Sequence, residues 1–162
     1  MVSNYKFVDD KTLAYSFSED LSEFLQMVLN LEATGTTKNK MVINEDKCNL
    51  MTFNFSTSNI EPKNLRLNGN LLNSVSKITL LGVIITDDLQ WKENTANICQ
   101  KVNRKFFLLW KLKQFGLKQK ELLTAWKVLL RPITEYAAPL WHSGLTKCNS
   151  ENLKALKKDL WD

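Results

Sequence analysis

The chain has 162 residues, 44% hydrophobic and 10% aromatic, enough apolar material for one domain or part of a larger one, which argues against global disorder. Its net charge of +5 is unevenly held: residues 92–131 carry ten Lys/Arg against two Asp/Glu, residues 1–91 eight against eleven, and residues 132–162 four against four. Three widely spaced cysteines (Cys48, Cys99, Cys148), one histidine (His142) and no CxxC argue against structural zinc and read as reduced intracellular thiols. No signal peptide is visible at the N-terminus, and no apolar run approaches the ~20 residues of a membrane span, so the expected location is intracellular, with no membrane partner.

In chain order, "YKFV" and "TLAYSF" flank Asp9-Asp10 and predict a β-hairpin with the two aspartates at or next to its turn. In "SEDLSEFLQMVLNLEA", Leu21, Phe24, Leu25, Val28 and Leu29 recur at helical spacing, with Ser18 as a cap and "TGTTKNK" as the break. "MVIN" and "NLMTFNFS" read as strands separated by the polar "EDKC", and "LRLNGNLL" as a hairpin about Asn68-Gly69. "KITLLGVIIT" reads as one continuous apolar strand, with Asp87 or Asp88 at its exit and capping the next helix.

That helix, from about Thr95 to Phe115, places Ile98, Val102, Phe106 and Leu109 on one face, with Lys101, Arg104, Lys105 and Lys111 on the opposite arc and Gly116 as its stop. A second, from about Lys118 to Leu130, turns Leu122, Trp126, Leu129, Leu130 and Ile133 inward, and Pro132 ends or kinks it. "EYAAPLWHSGL" is a short apolar helix or turn broken by Pro139, and a last helix begins near Ser150-Glu151. The basic stripe of residues 92–131 is a candidate surface for phosphate backbones, or simply a solvated helix face.

Two aspartates held at a hairpin tip are a hard-oxygen source for Mg²⁺, the ion that activates the attacking oxygen and neutralises the leaving group in phosphoryl transfer. The second pair, Asp87-Asp88, warns that the dipeptide alone decides nothing. "FVDD" followed by "KTLAYS" resembles the metal-binding hairpin of reverse transcriptases. "NKMVINEDKCNLMTF" resembles the segment that follows it in non-LTR retrotransposon enzymes, and "KITLLGVIITDDLQW" their Leu-Gly primer-gripping strand. "LLRPITEYAAPLWHSGL" is similar to an Arg-Pro, Glu-Tyr, Pro-Leu-Trp segment of jockey-like and related LINE-type elements. The four blocks occur in the family's order across nearly all of residues 5–161.

The resemblance implies an α+β fold. Residues 1–91 would be an antiparallel palm remnant of β-hairpins plus one helix, and residues 92–162 a helical thumb cut at its C-terminus. It implies an RNA-directed DNA polymerase using Mg²⁺, an RNA template, a DNA primer and dNTPs. Asp9 would be a metal ligand and catalytic, Asp10 its less direct companion, and Phe7 a support near the primer end. Lys47 would lie near the nucleotide phosphates as a catalytic proton donor; on its residues alone it is an exposed loop lysine. Leu81 and Gly82 would grip the primer, and Lys101, Arg104, Lys105 and Lys111 would touch phosphates. Trp126, Trp141 and His142 read as structural.

The sequence departs from the family at the upstream metal-binding aspartate, the fingers and the template-positioning segment, none of which can fit before Asp9, and at Gly35, where a Trp is common. The expectation is therefore a fragment without polymerase activity by itself, partnered in the intact enzyme by an N-terminal half. A non-catalytic nucleic-acid-binding module and a relic without function are the competing readings.

Overall fold

The computed structural model describes residues 2–7, 10–16, 22–55 and 64–158, the side chains of Val2, Asn152 and residues 155–158 excepted. The described chain is mixed α+β, with small sheets and six α-helices, and divides into two units, Met1–Val75 and Ser76–Asp162.

In the first unit β1 (Val2–Phe7) and β2 (Asp10–Tyr15) pair antiparallel, Phe7 opposite Asp10 and Val2 opposite Tyr15. The hairpin is tied to α1 (Ser22–Lys38) by a Lys11–Glu32 ion pair and by the Tyr15 and Phe24 rings, whose centroids lie 5.4 Å apart. Phe24, Leu25, Val28 and Leu29 form the half-buried face of α1, as their spacing predicts; Ser18 and Leu21 lie outside the described residues. The helix does not break at "TGTTKNK". It runs through Gly35 to Lys38, with the hydroxyls of Thr34, Thr36 and Thr37 donating to carbonyls one turn back, and it stops where Lys40 turns left-handed at φ 55°.

"MVIN" is not a strand. Residues 41–44 are irregular and Val42 is 97% exposed, and among the described residues no strand pairs with them. "EDKC" contains a 3-10 turn, Glu45–Lys47. Among the described residues of "NLMTFNFS" only β3 (Asn49–Leu50) pairs as a strand, in parallel with β6 (Asn73–Ser74), a departure from the all-antiparallel expectation. The predicted Asn68-Gly69 hairpin is present as β4 (Arg66–Leu67) and β5 (Asn70–Leu71), with φ of 50° and 92° at the two turn residues. Leu65 and Leu67 are buried on one side of it, and Gln26 clamps the edge, accepting from the Arg66 N–H (2.8 Å) and donating to its carbonyl (2.7 Å).

In the second unit the run "KITLLGVIIT" is not one strand but a hairpin, β7 (Lys77–Leu80) and β8 (Val83–Thr86), turning at Leu81-Gly82 with φ of 47° and 83°. Neither Asp87 nor Asp88 caps a helix. Asp88 Oδ1 accepts from Thr86 Oγ1 (2.6 Å) and the Gln90 N–H (3.1 Å), locking the strand exit, and the N-cap of α2 (Lys92–Gln114) is Trp91, left-handed at φ 59°.

Helix α2 ends as predicted, with Gly116 at φ +83° closing the last turn. Then come α3 (Gln119–Leu129), α4 (Arg131–Glu135) with Pro132 in its first turn, α5 (Ala138–Trp141) with Pro139 likewise, and α6 (Lys147–Lys158). The last helix begins at Lys147 rather than Ser150, because Thr146 Oγ1 accepts from the Asn149 N–H. Val83, Trp91, Ile98, Val102, Leu109, Leu130 and Trp141 form the buried core, with Phe106, Trp126 and Leu129 packed against it.

Candidate functional site

In the first unit, Asp10 opens β2 opposite Phe7, and both side chains are exposed. Asp9 lies outside the described residues. Among the described residues no three His, Cys, Asp or Glu side chains gather where a metal ion could sit, so the described carboxylates do not by themselves fit a Mg²⁺ site. Lys47 ends the 3-10 turn Glu45–Lys47 and is exposed. Its neighbour Glu45 anchors that turn to the β4–β5 hairpin, accepting from Asn68 Nδ2 (2.7 Å) and Asn70 Nδ2. Those two amides, Asn68 foremost, hold the Glu45 carboxyl below its usual range. Behind it, burial first and the Glu45 charge second push the Cys48 thiol up.

The second unit contains a cleft of about 350 Å³ between the tip of β7–β8, the first turns of α2, and α4 with α5. It is lined by Leu81, Gly82, Lys101, Ile98, Tyr136 and Trp141 among others, and so joins the two turn residues to one of the four predicted phosphate-binding cations. Three hydrogen bonds hold its walls. The Tyr136 hydroxyl donates to the Leu81 carbonyl (2.7 Å), Trp141 Nε1–H donates to the Tyr136 carbonyl (2.9 Å), and the Ile84 N–H donates to Asn94 Oδ1 (3.2 Å). The last bond fixes the Asn94 amide, because flipping it would set donor against donor. Asn94 is only 2% exposed, and its Nδ2 has no protein acceptor. A Lys77–Glu93 ion pair (2.7 Å) ties the hairpin to the start of α2.

The four cations predicted to share one arc span about 120° of α2, and of them only Lys101 lines the cleft. Arg104 and Lys111 lie beside Phe107 on the outer arc, and Lys105 lies on the flank of the buried stripe, from the 100° per residue rotation. All four are exposed. Trp126 is half-buried and Trp141 buried, as predicted, and His142 sits exposed beside Trp141, ring centroids 6.2 Å apart. Asn94, Tyr136 and Glu45 escaped the sequence reading. Only Tyr136 carried a signal, lying within the "EYAAPLW" block.

No described helix is long and apolar enough to cross a membrane. Scans of the chain against protein-family models, characterised proteins and solved structures gave no match.

Proposed function

We propose that this chain carries part of the nucleic-acid-handling core of a non-LTR-type RNA-directed DNA polymerase. The observation that carries the reading is the cleft uniting the Leu81-Gly82 turn with Lys101. A turn with Gly at its second position lets backbone come close to a strand end, and a lysine across from it neutralises a phosphate. In this reading the duplex of RNA template and DNA primer lies against the second unit, and Asp9 and Asp10 belong to the catalytic centre of the intact enzyme. Mg²⁺ would there activate the primer oxygen and stabilise the leaving pyrophosphate. Lys47 would stand near the phosphates of the incoming dNTP.

Catalysis requires several converging carboxylates, and the one hairpin offers only Asp9 and Asp10, so this chain by itself is expected not to polymerise. Primer extension on an RNA template, run beside an Asp9→Ala/Asp10→Ala double variant, is expected to give the same background for both. Extension above that control would overturn the inactivity. Binding of a labelled template–primer duplex is expected to weaken with salt, and Lys101→Gln to lower the log–log slope by about 1. Absence of duplex binding at low salt would overturn the polymerase reading.

The ten-to-two excess of Lys/Arg over Asp/Glu in residues 92–131 also favours a second reading, a non-catalytic nucleic-acid-binding module. It predicts binding indifferent to the Leu81-Gly82 turn. A relic without function would instead be poorly soluble, since Phe7, Val42, Phe53 and Phe55 are exposed, and a sharp monomeric gel-filtration peak would count against it.

A further inference from the structure

We infer that the outer arc of α2 is a base-stacking platform for single-stranded nucleic acid, a surface separate from the cleft. Phe107 and Trp110 stack on each other, ring centroids 6.2 Å apart and planes 30° apart, yet are 61% and 52% exposed. Lys111 Nζ lies 5.4 Å from the centroid of Phe107. Phe107 and Trp110 lie about 120° and 180° around the helix from Lys101, so they face away from the cleft. Exposed Gln100, Asn103 and Arg104 complete the arc, and the only carboxylate of α2 is Glu93 in its first turn.

The chemistry selects the occupant. One turn from these rings on α2 lie Asn103, Arg104, Phe106, Lys111, Lys113 and Gln114, with exposed Leu108 flanking them. An acidic protein surface would pair with Arg104 and Lys111 but leave the rings without a flat partner. A duplex presents phosphates but hides its base faces. A single strand offers both: base faces for Phe107 and Trp110, and phosphates for Arg104 and Lys111, with Gln100 and Asn103 able to bond base edges. Stacking of this kind tolerates any base, so the platform is expected to be indifferent to sequence.

The inference rests on the nucleic-acid reading above, and the test separates the two. Labelled single strands of about 12 nucleotides, oligo(dT) and oligo(rU), and a duplex of the same length are titrated with the full chain by fluorescence anisotropy across a KCl series. The parent is expected to bind both single strands with a salt slope of about −0.7 per phosphate contacted. Phe107→Ala and Trp110→Ala are each expected to weaken that binding about 5- to 150-fold at unchanged slope, the loss of one stacked base, while Trp110→Phe keeps most of it. Arg104→Gln with Lys111→Gln should lower the slope instead.

If the aromatic variants bind like the parent while the charge variants weaken, the platform is overturned and the nucleic-acid reading stands. Should the parent bind the duplex alone, the platform likewise falls. If it binds neither strand nor duplex, both fall. If the aromatic variants leave binding intact but turn an associated species into a monomer by sedimentation, the face is a protein contact and the inference is overturned. Far-ultraviolet circular dichroism matching the parent establishes that each variant is folded, as expected for exposed positions.

Discussion

Two residues show how local chemistry sets the second unit. A Cβ at Gly144 would meet Nε1 of Trp91 at 2.6 Å and Cδ1 at 2.9 Å. Trp91 belongs to the buried core and its ring is rigid, so it cannot yield as the tip of a lysine would. Gly144→Ala is therefore expected to destabilise the unit by about 1–3 kcal/mol in urea unfolding. Asp88 acts through charge. The Thr86 hydroxyl, and after it the Gln90 N–H, hold its carboxyl below the ordinary 3.8. A depressed folded pKa means stabilisation that is present above the unfolded value and lost as pH falls through the folded one. The melting-temperature gap between the parent and Asp88→Asn should thus be widest near neutrality and close as pH falls below the ordinary 3.8 and through the lowered folded value. A gap that widens on acidification would contradict the assignment.

At the scale of elements, turns and helix ends decided more than propensity did. The β7–β8 hairpin turns through Leu81 at φ 47°, where a residue with a γ-branched side chain stores roughly 1 kcal/mol. Leu81→Asn, restoring the Asn-Gly chemistry that Asn68-Gly69 uses, is expected to stabilise the hairpin by about 0.5–1 kcal/mol. If Leu81 contacts the nucleic acid, the same change weakens template–primer binding, which shows as stability and affinity moving in opposite directions. Helix α1 makes the converse point. Gly35 lies inside it with open space around its would-be Cβ, so Gly35→Ala is expected to stabilise the helix by about 0.5–1 kcal/mol, read as increased helicity and slower cleavage by protease.

Across the whole molecule the two units are held differently. The second contains a contiguous core in which Val102, Leu130 and Trp141 are each 1% exposed. In the first only Leu65 and Leu67 are buried among the described hydrophobics, and α1 buries no residue fully. Protection against hydrogen exchange is expected to be greatest along α2 and α3 and weak along β1, β2 and α1, with proteolysis cutting the first unit before the second. Equal protection in the two units would mean that the first acquires burial from a partner.

The sequence by itself determined the α+β class, the helix register and inner faces of α2 and α3, the Gly116 stop and the Asn68-Gly69 hairpin. Each of these is written in residues within a few positions of one another: a 3.6-residue repeat, a left-handed glycine, an Asn-Gly pair. The lone Gly82 inside ten apolar residues was the available sign of a turn, but apolar side chains fit one long strand as well as two short ones. The run of α1 past its expected break, and Trp91 in place of an aspartate cap, were hidden for the same reason. Hydroxyls and carboxylates have several bonding partners, and local sequence does not rank them. The cleft was beyond the sequence's reach altogether. Leu81 and Tyr136 meet across 55 positions through one hydrogen bond. Lys101 lines the cleft because the β7–β8 tip, α4 and α5 gather around that part of α2. Long-range packing chose which cations share a surface, and that choice is made by shape and burial rather than by spacing along the chain.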